Sequence, residues 1–322
     1  MKIGLLCGRE FSFPPAFLER VNALGAPDGI TADYVKLGGS AMGEPAEYRL
    51  IVDRISHEVD YYRGYLKHAV LQGTYVINNP FWWTADDKFF NYSVASKLGI
   101  AVPRTVLLPQ KSYPPGVDIV SESLRNLRYP IDWDGLLDYV GRPAILKPFS
   151  GGGWKHVYKV HTRDELIAAY DGTGPYCMTL QQFIDFDRYV RCFTFGKTDI
   201  MPVAYDARER RYIVDHAYLS PSLGSRVVED ARTINRALGY EMNTIEFAIK
   251  DDIPYAIDFL NPAPDFERAR ITPFYFGEVV SRMAALVLDR ARSGAVTDPW
   301  PRWEQMLGMG TSAGFLGSPV VV

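Results

Sequence analysis

The chain reads as a mixed α/β and α+β protein of two or three lobes, and three observations carry that reading. Its 322 residues exceed one ordinary domain. Strand and helix patterns alternate over roughly the first eighty residues, as in a layered α/β unit. From Cys177 to His216 strand follows strand without an intervening helix, the pattern of an antiparallel sheet.

Taken in order, KIGLLC at 2–7 is a buried strand, and Pro14–Gly25 a helix with prolines at its start and glycine at its stop. ADYVKL and RLIVDR are further strands, helical periodicity runs from Glu58 to Gln72, and TYVIN at 74–78 closes the first lobe. Thr84 opens a helix with Asp87 in the capping-box position and Gly99 as the stop. A connection rich in Pro and Tyr runs from Val106 to Ala144, helical around Asp132–Val140. The strands AILKPF and HVYKV follow, then a helix at Thr162–Tyr170 with Thr162 and Glu165 as its capping box. After the strand-rich stretch come a helix at Arg226–Leu238, the strands NTIEFAIK and YAIDFL, and a last helix near Phe274–Arg292. The expected domains are 1–83, 84–184 and 185–322.

Bulk properties remove several classes of function. A net charge of −3 exerts no general pull toward nucleic acid or an anionic membrane. Cys7, Cys177 and Cys192 lack metal-ligand spacing and are odd in number, which suits a reducing cytosol. MKIGLLCGREF holds too short an apolar run for a signal peptide, and no apolar stretch approaches the ~20 residues of a membrane span. The five histidines follow no catalytic pattern. A cytoplasmic protein without nucleic-acid or membrane partners is expected, with homo-oligomer formation left open.

The stretch AILKPFSGGGWKHVYKV carries the first chemical signal. Strand alternation places Ile145, Lys147 and Phe149 on one face and Ala144 and Leu146 on the other. An ammonium on a half-buried strand face calls for an anion. Gly151, Gly152 and Gly153, directly after it, let backbone N–H groups approach that anion without a Cβ in the way. Phosphate is the natural candidate; a solvated edge-strand lysine before a flexible turn is the plain alternative. Lys88 adds a cation to the first turn of a helix, where the helix dipole disfavours it unless an anion is held there too. It can equally be a surface lysine. Downstream, Gln181, Gln182, Phe183 and Ile184 end a strand, with Asp187 beyond. A glutamine amide can meet a purine edge, and an acid shortly after can hold ribose hydroxyls.

In NTIEFAIKDDIPYAIDFLNPAP two strands flank the turn Asp251-Asp252-Ile253. A three-residue loop sets Glu246 directly across from Asp258. Opposed carboxylates repel unless a divalent cation lies between them, and Asn261 offers a further oxygen. Acidic residues facing water are the alternative.

This ordered set over Asn78–Pro264 resembles the ATP-grasp superfamily, in particular its RimK-like and glutathione-synthetase-like carboxylate–amine ligases. The resemblance implies an ATP-grasp fold with an N-terminal α/β pre-ATP-grasp domain, a central lid subdomain and a C-terminal antiparallel-sheet subdomain. It implies ATP and Mg²⁺. By position, Lys88 and Lys147 would meet the phosphates, Gly151–Gly153 would cover them, Gln181–Ile184 would form the adenine hinge and Asp187 would hold the ribose. Glu246, Asp258 and Asn261 would hold the metal. Two positions depart from the usual pattern: Gln181 stands where the family has Glu, and D-x-x-N replaces E-x-N. The implied chemistry joins a carboxylate to an amine through an acylphosphate. Arg54, Arg191 and Arg226 are the candidate grips for a carboxylate or oxyanion, since a guanidinium suits both; each can instead make a structural ion pair. A non-catalytic ATP-binding regulator of the same fold and a phosphotransferase are the alternatives.

Overall fold

The computed structural model describes residues 1–81, 87–116, 125–151, 155–298 and 303–308. In chain order the elements are β1 (Lys2–Leu6), α1 (Phe13–Gly25), β2 (Thr31–Tyr34), β3 (Leu50–Asp53), α2 (Asp60–Leu71), β4 (Tyr75–Ile77) and α3 (Lys88–Lys97). Next come β5 (Thr105–Leu108), α4 (Trp133–Val140), β6 (Ala144–Pro148), β7 (Tyr158–Val160), α5 (Arg163–Asp171) and β8 (Met178–Gln182). The last are β9 (Arg188–Phe195), β10 (Asp199–Asp206), β11 (Arg211–Ile213), α6 (Pro221–Leu238), β12 (Met242–Lys250), β13 (Ile253–Asp258), α7 (Arg268–Arg292) and the short α8 (Trp303–Met306). They fall into two compact units, one of Met1–Trp83, Arg188–Phe247 and Asp258–Val322, the other of Thr84–Asp187 and Ala248–Ile257. The first unit thus draws on three stretches of chain.

In the first unit a parallel sheet has the order β2-β1-β3-β4. All four residues of β3 are buried, as a strand covered on both faces requires. Phe13, Phe17 and Val21 of α1, spaced i, i+4, i+8, give that helix its apolar stripe and pack into one core with α7. Leu66 and Ala69 of α2 belong to the core that holds Leu6, Ile51 and Val76. The second sheet runs β11-β10-β9-β12-β13, its β9–β10 pairs antiparallel, with Val203 opposite Arg191.

Two helices differ from the sequence reading. Helix α6 starts at Pro221, where the Ser220 hydroxyl accepts from Leu223 N, so Arg226 sits inside the helix and not at its start. Helix α7 is long and apolar enough to cross a membrane by length and composition. Here Val279, Met283 and Val287 are fully buried in the first unit's core, which accounts for its apolarity. The backbone breaks at Thr272 (φ 70, ψ 154) before Pro273, so the main helix begins there, with Tyr275 N donating to Thr272 Oγ1 at 3.5 Å.

The second unit holds an antiparallel sheet of order β5-β8-β6-β7. Leu108, Ala144, Leu146, Val160, Met178 and Leu180 make its core with α4 and α5. Strand β5 falls where the sequence reads as loop because prolines flank it, and it lies at the sheet edge, where prolines are tolerated. The capping box of α5 is modified: Thr162 Oγ1 accepts from Glu165 N at 3.2 Å, while Glu165 reaches back one residue further to His161 N at 2.7 Å. Helix α3 begins at Lys88, capped by Asp87, whose side chain accepts from Phe90 N at 2.8 Å. The expected start at Thr84 lies outside the described residues.

The turn between β12 and β13 is also corrected. It has two residues, Asp251 and Asp252, with φ of 52° and 56°. Aspartate tolerates this left-handed region, so a tight primed hairpin forms without glycine. Counting outward from a two-residue loop puts Asp258 opposite Ile245, not directly across from Glu246.

Candidate functional site

In the second unit, strand pairing draws the expected nucleotide residues onto one sheet face. Lys159, Ile145, Gln181 and Thr105 form one cross-strand row, and Lys147 pairs with Thr179 in the next. The opposite face is core, so this one is polar by the same alternation that makes its reverse apolar. Lys147 is 8% exposed; its ammonium donates to Tyr92 Oη at 2.8 Å and to the Ile257 carbonyl at 3.0 Å. Lys88 donates through Nζ to the Gly151 carbonyl at 2.7 Å, and its backbone N–H bonds Phe149 O. Lys88 therefore reaches the loop that follows the strand carrying Lys147. Gly151 holds φ +78 although a Cβ there would meet nothing within 4 Å, so glycine serves the backbone conformation and not close approach. Gly152 and Gly153 lie outside the described residues.

The expected hinge is only partly available in this arrangement. Gln181 is buried and its amide donates to Thr105 Oγ1 at 2.9 Å, while Gln182 pairs with the backbone of Arg104. Ile184 is buried, and the Lys159 ammonium stands 3.7 Å from the Phe183 ring centroid. Asp187 accepts from Lys250 Nζ at 3.1 Å and from Asp251 N at 3.3 Å, which fixes it beside the hairpin tip. Lys159 was missed by sequence reasoning. Its signal was the alternation in HVYKV, the same rule that singled out Lys147.

In the first unit, Glu246 is the centre of a second cluster. Arg191 Nη2 lies 2.8 Å from Glu246 Oε1, and the Tyr189 hydroxyl donates to Oε2. The Arg191 guanidinium stacks 4.0 Å from the Tyr205 ring centroid, and its Nη1 donates to Tyr212 Oη at 3.3 Å. Tyr205 and Tyr212 are cross-strand partners, so the pairing of β10 with β11 builds this aromatic wall. Burial, then the Glu246 charge, push the Tyr189 phenol well above its ordinary range; the charge of Asp258 acts in the same sense. Burial likewise raises Tyr212 to about 12 against the opposing charge of Arg191. Arg191 itself is held charged by Glu246 against a burial penalty, and its buried Nε has no hydrogen-bond partner. Sequence reasoning missed these tyrosines, because only strand register brings them to Arg191.

Asp258 ends β13, and the chain beyond it is pinned by Asn243, whose Oδ1 accepts from Asn261 N at 2.7 Å and whose amide donates to Phe259 O at 2.8 Å. The Asn261 side chain is exposed and outside the strand, so strand alternation does not apply to it. Among the described residues, no group of three or more His, Cys, Asp or Glu gathers as a metal cluster. Arg226 is half-exposed and faces Asp230 at 3.8 Å.

Arg54, a candidate ligand grip, is buried and bonded within the fold, as its structural alternative has it. Its Nε meets both Glu10 carboxylate oxygens at 2.8 Å, Nη2 bonds Glu10 and the Pro264 carbonyl, and Nη1 contacts Met242 Sδ at 3.1 Å. The Phe13 and Phe266 rings each lie 4.8 Å from the guanidinium carbon. Every donor nitrogen is engaged inside the fold.

No protein-family model and no curated protein sequence matches this chain. Solved structures do. The RimK domain protein ATP-grasp from Sphaerobacter thermophilus aligns with TM-score 0.63 at 19% identity, over 89% of this chain and 100% of that one. D-alanine–D-alanine ligase from Bacillus anthracis, solved with ATP, aligns with TM-score 0.60 at 17% identity, over 91% and 97%. N5-carboxyaminoimidazole ribonucleotide synthetase from Thermus thermophilus gives 0.61 at 18%, over 93% and 81%. The chain has the ATP-grasp fold.

Proposed function

We propose that the protein is an ATP-dependent ligase that joins a carboxylate to an amine in the cytoplasm, releasing ADP and phosphate. The observation that carries this is the polar face of the second unit. A buried lysine, Lys147, stands there in the row beside Gln181, and Lys88 reaches the adjoining loop. Structural neighbours that are ATP-dependent ligases support the class.

In this reading ATP is co-substrate. Its γ-phosphoryl group passes to a carboxylate oxygen of the acid, and the bond to ADP breaks. The amine nitrogen then attacks the acyl carbon, the bond to phosphate breaks, and the amine loses a proton. Lys88 and Lys147 neutralise phosphate charge, Gly151–Gly153 cover it, Gln181–Ile184 meet the base and Asp187 the ribose. Arg191, a guanidinium beside Glu246, is the group to steady the oxyanion, and Arg226 is a second candidate cation. Glu246, Asp258 and Asn261 are the oxygen types that magnesium takes. Two carboxylates and an amide oxygen are donors of the hard type magnesium prefers, so the set fits by chemistry. Bound there, magnesium would offset phosphate charge.

A non-catalytic nucleotide-binding protein is the second reading, favoured by one observation: Arg191 and Tyr189 already hold both Glu246 oxygens. Incubation with ATP and pools of acids and amines separates the readings. A ligase releases ADP only when both acid and amine are present, and a new amide mass appears. A phosphotransferase needs the acid alone, and a regulator releases no ADP.

A further inference from the structure

Arg211, Arg268 and Arg270 converge on one concavity of about 630 Å³ in the first unit, walled on one side by Tyr212. In a chain of net charge −3 such a concentration of cations stands out. The nearby acids are engaged by backbone N–H groups, although Glu267 lines the same cavity. Glu267, at the rim, accepts from the N–H groups of Phe11, Ser12 and Phe13. Asp206, opposite Arg211 in the β10–β11 pair, accepts from the N–H groups of Arg208 and Glu209, although its charge also acts with Arg211. Arg270 meets Asp265 only at 3.7 Å, with both side chains well exposed. Arg268 lies over the Phe276 ring at 4.5 Å, and neither it nor Arg211 has an ion-pair partner among the described residues. Three arginines line this one cavity, and an anion with more than one oxygen can engage more than one guanidinium there. The Tyr212 ring is shared: its hydroxyl accepts from Arg191, which in turn holds Glu246.

We propose that this cavity seats a second carboxylate of the acid substrate, so that the protein selects di- or polycarboxylic acids over monocarboxylic ones. The inference rests on the ligase reading for the identity of the acid, but the anion site itself does not need turnover to be seen. Arg211 and Arg268 are then specificity residues, and the shared Tyr212 wall sets the span between the held carboxylate and the reacting one.

The test is calorimetry on the intact protein with glutarate, triglutamate, butyrate and inorganic phosphate as probes. Glutarate or triglutamate is expected to bind about 10- to 100-fold more tightly than butyrate, the effect of one charge-assisted contact or two. The tighter of the two tells a free diacid from an acidic peptide. Arg211→Gln with Arg268→Gln, both exposed positions, should erase that preference while ATP affinity and the circular dichroism spectrum stay as in the parent. In turnover, KM for the diacid should rise more than kcat falls. Equal binding of glutarate and butyrate, tighter binding of phosphate than of either diacid, or a preference that survives the double substitution overturns the proposal. If no acid–amine pair releases ADP while the calorimetric preference holds and is erased by the variants, the ligase reading fails and the anion site stands.

Discussion

Arg191 and Glu246 form an ion pair of 2.8 Å whose side chains are each about one-fifth exposed, with the Tyr189 hydroxyl on the other carboxylate oxygen. This pairing changes what the acidic residues of the hairpin do in the resting protein. Like-charge repulsion between Glu246 and Asp258 is offset by the guanidinium, so Asp258→Asn should leave stability within about 0.5 kcal/mol of the parent. The same substitution should abolish turnover if Asp258 holds the metal. Urea midpoints alongside ADP release separate the two effects; a clear gain in stability would mean the repulsion is not offset.

Arg191→Met removes the partner and leaves the Glu246 charge mostly shielded from water. A loss near the low end of roughly 3–5 kcal/mol is expected, since the pair broken is mostly but not fully buried. Denaturation at neutral pH measures it, and Glu246→Gln combined with Arg191→Met should recover much of the loss.

Lys147→Ala should weaken ATP binding at least tenfold, by loss of one charge-assisted contact, about 1.4 kcal/mol per decade. The fold should persist, because two of the groups Lys147 bonds, Tyr92 Oη and the Ile257 carbonyl, are neutral acceptors. Calorimetry with ATP is the readout, and unchanged affinity would move the nucleotide elsewhere.

Arg54→Ala should act on the fold and not on substrate affinity. Glu10 and the Pro264 carbonyl lose their donor, and the gap between the Phe13 and Phe266 rings is left open. A cost of about 3–5 kcal/mol follows from an uncompensated, largely buried carboxylate. The thermal midpoint should fall steeply, while residual folded protein keeps its affinity for the acid.

Glu267 links stability to pH. Desolvation raises its pKa, but hydrogen bonds from Ser12 and from the N–H groups of Ser12, Phe11 and Phe13 outweigh that and bring it below its ordinary value of 4.5. A depressed carboxylate contributes stability above its unfolded pKa and loses it as pH falls through the folded one. Glu267→Gln should therefore lower the thermal midpoint at pH 7, with the difference from the parent shrinking below about pH 4.5. A difference independent of pH would assign the effect to packing.

What the sequence revealed was local. The alternation of AILKPF told which side chains enter the core, since Ala144 and Leu146 meet α4 and α5 while Lys147 does not. The Thr162 cap and the Gly239 stop, with φ +77, were equally plain because their chemistry lies within a few residues. Long-range pairings were hidden. Nothing near Arg54 announces Glu10 or Phe266, and nothing near Arg191 announces Tyr205 or Tyr212, because strand register is set by the whole sheet. The hairpin failed for a smaller reason: two aspartates took the left-handed turn usually given to asparagine and glycine, and one residue of loop length moved Asp258 off Glu246.

The first unit cannot be completed in the order in which it is synthesised. Its opening helix α1 packs against α7 in one core, and Glu267 caps the N–H groups of Phe11 to Phe13 from 255 residues away. Thr84–Asp187, by contrast, is nearly a continuous stretch with its own core. On the ribosome that middle segment is ready to fold first, while the stripe of Phe13, Phe17 and Val21 waits uncovered for residues beyond Arg268. A nascent chain stopped short of α7 therefore carries an adhesive N-terminal layer, and production of this protein depends on how long that layer is shielded.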